Sequence, residues 1–335
     1  MNKMTVNEAI GQALAEEMRR DPRVLMFGEG VATKRPELVS EFGAKRVRNT
    51  PLAEGIIAGT AAGAAATGLR PVIDLLFAPF LCFAMDEIVN SAGKLRYMSG
   101  GQFEFPMVVM AMTGAGWTVG AQHNHNLEAW FVHSPGLKVV MPSNAADFKG
   151  LLKAAIRDDN PVLFFTDLAL GHTPGEVPDG EHIVPLGKAA VVREGRDLTI
   201  VSYAKMVGSC LQAADALAAQ GIAAEVVDLR SLKPLDEEAL LRSVRKTGRL
   251  LVVHEASRMC GVGAEISAIV AEQAFDALRA PILRLTGPDA PAASSYPLEQ
   301  AYLPQPDAIA AAARRIAGHV RTGALHVIPA DALTA

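Results

Sequence analysis

Glu54 and His123 are the residues whose settings most suggest chemistry. Glu54 opens the run EGIIAGTAAGAAATG, made almost wholly of small residues and broken by Thr60 and Thr67. Gly55, Gly59 and Gly63 recur every four residues and share one face if the run is helical. Glycine costs about 1 kcal/mol per interior helix position relative to alanine, so three in register imply close approach of another backbone. The run reads either as a tightly packed internal helix or as a helix at a subunit interface with Glu54 at its buried tip, facing a ligand. It is too short and too polar for a membrane span. His123 belongs to AQHNHNLEAWFVH with His125 and His133. If the chain is helical from Asn124 onward, these three cannot share a face, which argues against a metal site. Two readings remain: one histidine capping a helix with two on its surface, or a single histidine at a loop–helix junction working as acid and base near neutral pH.

Other constellations carry less. Gly114-Ala115-Gly116 follows an apolar run, but Gly120 falls one place late for G-x-G-x-x-G and no acidic residue stands about 20 positions on. Glu128, His254 and Glu255 read as structural polar groups. No serine elbow, P-loop, zinc ligand set or basic stripe is found.

A β/α alternation must position these groups. Thr5 and Glu8 are spaced as a capping box ahead of an amphipathic helix that ends at Asp21-Pro22. Val24–Phe27 reads as a buried strand ending at Gly28-Glu29-Gly30, and Leu38–Val47 as polar and irregular. Pro71–Leu76, Met107–Met112, Val139–Met141 and Val162–Phe165 read as strands, with a glycine loop over Thr113–Gly120. Leu81, Met85, Ile88, Ala92 and Leu95 predict one helix, and Phe148, Leu151, Leu152, Ala155 and Ile156 another. Leu168–Lys188 has little period and reads as an interdomain linker. The alternation then resumes, with strands at Leu198–Ser202, Ala223–Val227, Leu250–Val253 and Ile282–Leu285. Helices are expected at Val207–Ala219, Glu237–Val244, Ala264–Phe275 and Ile309–Ile316. Continuous apolar strands alternating with helices predict an α/β fold of two parallel-sheet domains, spanning 1–180 and 190–320, with a tail over 321–335.

Composition narrows the class. The chain has 335 residues, a formal net charge of −4 and three cysteines. A mildly acidic chain is a poor partner for nucleic acid or an anionic membrane. Cys82, Cys210 and Cys260 are widely spaced and odd in number, which suits reduced thiols and a cytoplasmic setting. The N-terminus lacks the apolar core of a signal peptide.

The segments TPLAEGIIAG, GLRPV, MDEIVNSAGKLRYMSGG, GAQHNHNLEAWFVHSPGLKVVMPSNAADFKGLLKAAIRDDNPV, PLGKA and VVDLRSLKPLD, in this order, resemble the β subunit of the thiamine-diphosphate-dependent 2-oxo acid dehydrogenases. These are the decarboxylating first components of the pyruvate, branched-chain and acetoin complexes, and the resemblance runs from about residue 4 to 318. It implies a pyrimidine-binding domain followed by a transketolase C-terminal domain, an α2β2 heterotetramer, and transfer of an acyl group to a lipoyl acyltransferase component. Thiamine diphosphate would be shared with the α subunit, whose G-D-G motif, absent from this chain, would hold Mg2+ and the diphosphate. By the same resemblance Glu54 bonds the ring nitrogen of the aminopyrimidine, Leu76 and Phe80 pack against that ring, and His123 is the active-site histidine. Proton exchange between this carboxylate and the pyrimidine would, by that resemblance, favour the tautomer that activates the cofactor. AIRDDN matches a structural potassium (K+) site, implying Ala155, Ile156, Asp158 and Asn160, with Met107 nearby.

Three departures bear on the substrate. Asn124-His125 replaces the usual Ser-Gln after the histidine, the segment after Gly28-Glu29 is several residues shorter than in the pyruvate and acetoin members, and Val162–Phe165 runs into TDLALG. The choice among 2-oxo acids and acetoin therefore stays open. A two-subunit transketolase-like or carboligating enzyme without lipoyl transfer is the alternative.

Overall fold

Thr5 caps the first long helix as its spacing to Glu8 requires: Glu8 N donates to Thr5 Oγ1 (3.3 Å) and Thr5 N to Glu8 Oε2 (2.7 Å). The computed structural model describes residues 1–319, so the expected tail lies outside the described residues. The chain runs β1 (Asn2–Thr5), α1 (Val6–Arg20), β2 (Val24–Gly28), α2 (Val31–Lys34), α3 (Pro36–Phe42), β3 (Val47–Asn49), α4 (Glu54–Ala66), β4 (Arg70–Phe77), α5 (Gly93–Met98), β5 (Val108–Thr113), α6 (Glu128–His133), β6 (Lys138–Val140), α7 (Ala145–Arg157), β7 (Val162–Asp167) and β8 (Pro174–Val177). It continues with β9 (Ala190–Arg193), β10 (Leu198–Ser202), α8 (Met206–Ala218), β11 (Ala224–Asp228), β12 (Ser231–Lys233), α9 (Glu237–Thr247), β13 (Leu250–Ser257), α10 (Val262–Gln273), β14 (Leu283–Gly287), α11 (Tyr296–Tyr302) and α12 (Pro306–Ala317).

Two units result. The first comprises Met1–Trp117, Gln122–Gly187 and Ser231–Pro234; the second takes Thr118–Ala121, Lys188–Arg230 and the chain from Leu235. The first is built on a seven-stranded sheet ordered β12-β6-β7-β5-β4-β2-β3, parallel except for β12. Its strands are buried apolar runs, as a sheet covered on both faces requires. One face packs on α1 and α7, whose stripes include Ile10, Leu14, Phe148 and Leu152. Charge is also buried here: Lys149 and Lys153 lie almost fully inside and pair with Glu16 at 2.8 and 2.6 Å. The second unit holds a five-stranded sheet ordered β14-β13-β10-β11-β9, parallel except for β9, with α8 and α12 on one face.

Several elements differ from the sequence expectation. Leu168–Lys188, expected as an interdomain linker, belongs to the first unit as far as Gly187: it contains a 3₁₀ turn, Leu168–Leu170, and strand β8, which pairs antiparallel with β1. Both strands are short and largely exposed, so neither carries the apolar run by which buried strands are recognised. The helix expected from Leu81 to Leu95 is three pieces, a 3₁₀ segment (Ala78–Ala84), a π-helical segment (Asp86–Ala92) and α5. The irregular stretch 38–47 holds most of α3 and the start of β3.

Candidate active site

The site is built at the carboxyl ends of β3, β4 and β5, where loops of a parallel sheet converge. Glu54 stands in the first turn of α4, a position where aligned peptide dipoles favour a carboxylate. Within this chain it is half-buried. The glycine periodicity finds its first partner inside the chain. A Cβ at Gly55 would lie 2.9 Å from Phe83 O, and one at Gly59 would lie 3.3 Å from Glu87 Cγ, whereas Gly63 faces open space. Gly55 therefore lets the start of α4 meet the 3₁₀ segment that carries Phe80.

Leu76 takes a left-handed backbone, φ 64°, which is strained for a branched side chain. Asp74 holds the turn, its Oδ1 accepting from Leu76 N at 3.0 Å, and the β4–β5 register shifts between Asp74 and Phe77. This bulge re-aims the end of β4. Phe77, Phe80 and His123 then form a ring cluster in edge-to-face contact, with centroids 5.9 Å apart for the phenylalanines and 4.8 and 5.4 Å from each to the imidazole. His123 lies in a loop before α6, not in a helix from Asn124. Thr113 Oγ1, at the end of β5, donates to His125 O (3.4 Å) in that loop. The His125 ring still reaches solvent, but its surroundings desolvate it enough to push its pKa below the ordinary histidine value.

Two groups escaped the sequence reading. Phe77 is one; the other is Glu29, 4% exposed, with no hydrogen-bond partner for either carboxylate oxygen. Gly28, φ 148°, brings β2 so close to β4 that a Cβ there would lie 2.2 Å from Asp74 O, and Glu29 N donates to that same oxygen (3.2 Å). Burial raises the Glu29 pKa, the charges of Glu54 and Asp74 raise it further, and Lys34 opposes them. Lys34 itself pairs with Asp74 at 2.7 Å. The signal for Glu29 was the Gly28-Glu29-Gly30 strand end, but its acidic neighbours meet only once the sheet forms. Asp74 also lines a cavity of about 370 Å³ with Lys34, Arg35 and Asp167.

The expected potassium set gathers at the end of α7. Arg70 Nη1 donates to Ile156 O (2.9 Å) and Asp158 O (3.1 Å), and Ala155 O accepts from Asp158 N (3.3 Å). Asn160 Nδ2 and Lys138 Nζ both donate to the Asp158 carboxylate, and Met107 O accepts from Val162 N (2.9 Å). Carbonyl oxygens have a second lone pair, but Arg70 and Lys138 already bring two positive charges. Among the described residues no group of three or more His, Cys, Asp or Glu is placed to hold a metal ion.

Comparison with known proteins decides the family. The family described as "Transketolase, pyrimidine binding domain" matches residues 2–170, and "Transketolase, C-terminal domain" matches 187–309. The β subunit of acetoin:2,6-dichlorophenolindophenol oxidoreductase from Cupriavidus necator is 46% identical, over 93% of this chain and 97% of that one. The 2-oxoisovalerate dehydrogenase β subunit of Bacillus subtilis is 44% identical, over 95% and 99%. This chain belongs to the family of 2-oxo acid and acetoin dehydrogenase β subunits. A mitochondrial pyruvate dehydrogenase E1 β subunit of Oryza sativa is 46% identical over 93% of this chain and 86% of its own. Among solved structures, a split-gene transketolase described as an inactive β4 tetramer superposes with a TM-score of 0.80 at 27% identity, covering 95% of this chain and 99% of that one. A β subunit of this family works on thiamine diphosphate with an α partner. The half-buried Glu54 and the aromatic wall at the end of β4 suit one face of an aminopyrimidine. No helix of the described residues is long and apolar enough to cross a membrane.

Proposed function

We propose that this chain is the β half of an α2β2 enzyme that decarboxylates a 2-oxo acid, or cleaves acetoin, and passes the acyl group to the lipoyl group of an acyltransferase. The observation that carries the reading is the convergence of Glu54, the strained Leu76 and the Phe77–Phe80–His123 cluster at neighbouring strand ends. When bound, thiamine diphosphate supplies the carbon nucleophile that this chain lacks. Glu54 holds or releases the proton at the pyrimidine ring nitrogen. Leu76 and Phe80 fix the ring between α4 and the bulge, with Phe77 backing Phe80. His123, held edge-on by two phenyl rings, moves a proton at the site mouth, where the opening dithiolane needs one at sulfur.

The exposed apolar surface beside Glu54 supports the division of labour. Leu52, Ile56 and Phe83 flank Glu54 and are 77%, 74% and 72% exposed, an apolar surround that fits coverage by the α partner. That partner would hold Mg2+ and the diphosphate. Potassium is proposed at the end of α7, where added K+ against Na+ should raise the melting temperature if the ion binds beside Arg70. The lipoyl-free carboligase reading stands behind, because relatives above 40% identity are named as dehydrogenases and an acetoin oxidoreductase. The test is reconstitution with the cognate α subunit and a lipoyl domain, presenting pyruvate, branched 2-oxo acids and acetoin in turn. Acylated lipoyl domain with at least one is the expected result. Carboligation products with no acylation by any would favour the alternative.

A further inference from the structure

The second unit carries two arginines, Arg258 and Arg284, whose charge no carboxylate among the described residues pairs with. β14 pairs with β13 so that Arg284 lies beside Val252, and Thr286 beside His254. Leu251, Val253, Leu283 and Leu285 pack into the core with α8 and α12, so by strand alternation Val252, His254 and Arg284 project to the other face. The start of α10 covers that face: a Cβ at Gly263 would lie 2.7 Å from His254 Nε2 and 3.2 Å from Val252 Cγ1. Arg258, in the loop before α10, donates from Nη1 to Arg284 O (2.7 Å), and Arg284 Nη1 returns a bond to Arg258 O (3.0 Å). Among the described residues neither guanidinium has a carboxylate partner. Glu265, in the first turn of α10, is exposed and pairs with neither. The two cations are close enough that Arg258, after burial, helps lower the Arg284 pKa.

His254 points the same way independently. It is 0% exposed, neither ring nitrogen has a hydrogen-bond partner, and its ring is aimed at the opening Gly261-Val262-Gly263 of this 12-residue helix. The helix start also lies at the carboxyl end of β13, next to the point where strand order reverses about β10, the usual ligand crevice of open α/β sheets. Free backbone N–H groups there attract oxyanions. Gly261 and Gly263 let the helix start close onto the His254 ring, since a Cβ at either would lie within 3.1 Å of it.

We propose that the N-terminus of α10, with Arg258 and Arg284, is a binding site for the phosphoryl group of a small phosphate ester. Two guanidinium groups and a helix N-terminus favour a dianion with three acceptor oxygens over a carboxylate. The probe is inorganic phosphate, titrated by calorimetry into the α–β complex saturated with thiamine diphosphate and magnesium at constant ionic strength, so that the cofactor's own diphosphate site is filled. Phosphate should bind at least tenfold more tightly than acetate. Arg258→Gln and Arg284→Gln should each weaken phosphate about 10- to 100-fold. Both variants should stay folded and assembled without phosphate, because each relieves like-charge repulsion while losing one hydrogen bond to the other arginine's carbonyl oxygen. Phosphate binding no tighter than acetate, or unchanged in both variants, would overturn the assignment. So would variants that dissociate the complex while phosphate has no effect on the parent.

Discussion

Acid should weaken the second unit through His254 before general carboxylate protonation sets in. The side chain is fully buried and stacks on Tyr203 with centroids 5.9 Å apart. Burial pushes its pKa down to about 4, from 6.5, and the Arg284 and Arg258 charges reinforce this; the nearby Ala256 backbone offsets part of it without meeting hydrogen-bond geometry. The folded state thus favours the neutral imidazole. The associated stability is complete above pH 6.5 and falls as the unfolded chain takes up a proton that the folded chain refuses. At about 1.36 kcal/mol per pKa unit, the loss is about 2 kcal/mol by pH 5 and about 3 kcal/mol near pH 4, where it levels off. Because neither ring nitrogen makes a hydrogen bond, His254→Phe removes the titration while keeping a ring against Tyr203. Urea unfolding followed by circular dichroism at pH 7.5 and pH 5 gives the comparison. Whatever His254→Phe costs at pH 7.5, the parent should lose about 2 kcal/mol more than the variant on going to pH 5. Equal losses would refute the reasoning, because His254 would then not be the group that titrates.

Glu29→Gln should stabilise the protein at pH 8 by about 1 kcal/mol, the low end for an unpaired buried group. The parent's raised pKa means that this group costs stability as pH rises from 4.5 through its folded value, so in denaturant melts the advantage should vanish below that window. An equal difference at pH 4 and pH 8 would point to packing, not charge. Ile56→Asp should leave the isolated chain's melting temperature within about 2 °C, since Ile56 is largely exposed. It should reduce assembly with the α subunit at least tenfold by light scattering, and unchanged assembly would place the partner elsewhere.

The residues differ in how far sequence alone exposes them. β5 and β7 were legible because continuous apolar runs are what a doubly covered strand requires. β9 and β12 were not, because short antiparallel edge strands are chosen by their neighbours more than by their own pattern. The stripe from Leu81 to Leu95 predicted one helix, because that spacing cannot separate α from the 3₁₀ and π turns that form. Glu54 stood out by contrast with its small neighbours. Glu29 did not, since what makes it unusual is proximity to Glu54 and Asp74 across three parallel strands, a property of the sheet. The left-handed Leu76 likewise depends on the Asp74 turn and the bulge, and leucine gives no sign of it.

The central claim is that Glu54 serves the cofactor and His123 the acyl acceptor. The direct measurement is the rate of Glu54→Gln and His123→Ala complexes, each reconstituted with the α subunit, with a lipoyl domain and with ferricyanide as acceptors. Glu54→Gln should depress both routes alike, because both need the activated cofactor. His123→Ala should lose about 10²–10⁴-fold with the lipoyl domain and clearly less with ferricyanide, which needs no proton delivered to sulfur. Full ferricyanide activity in Glu54→Gln would contradict the account, and equal loss on both routes in His123→Ala would move the histidine's task to the substrate.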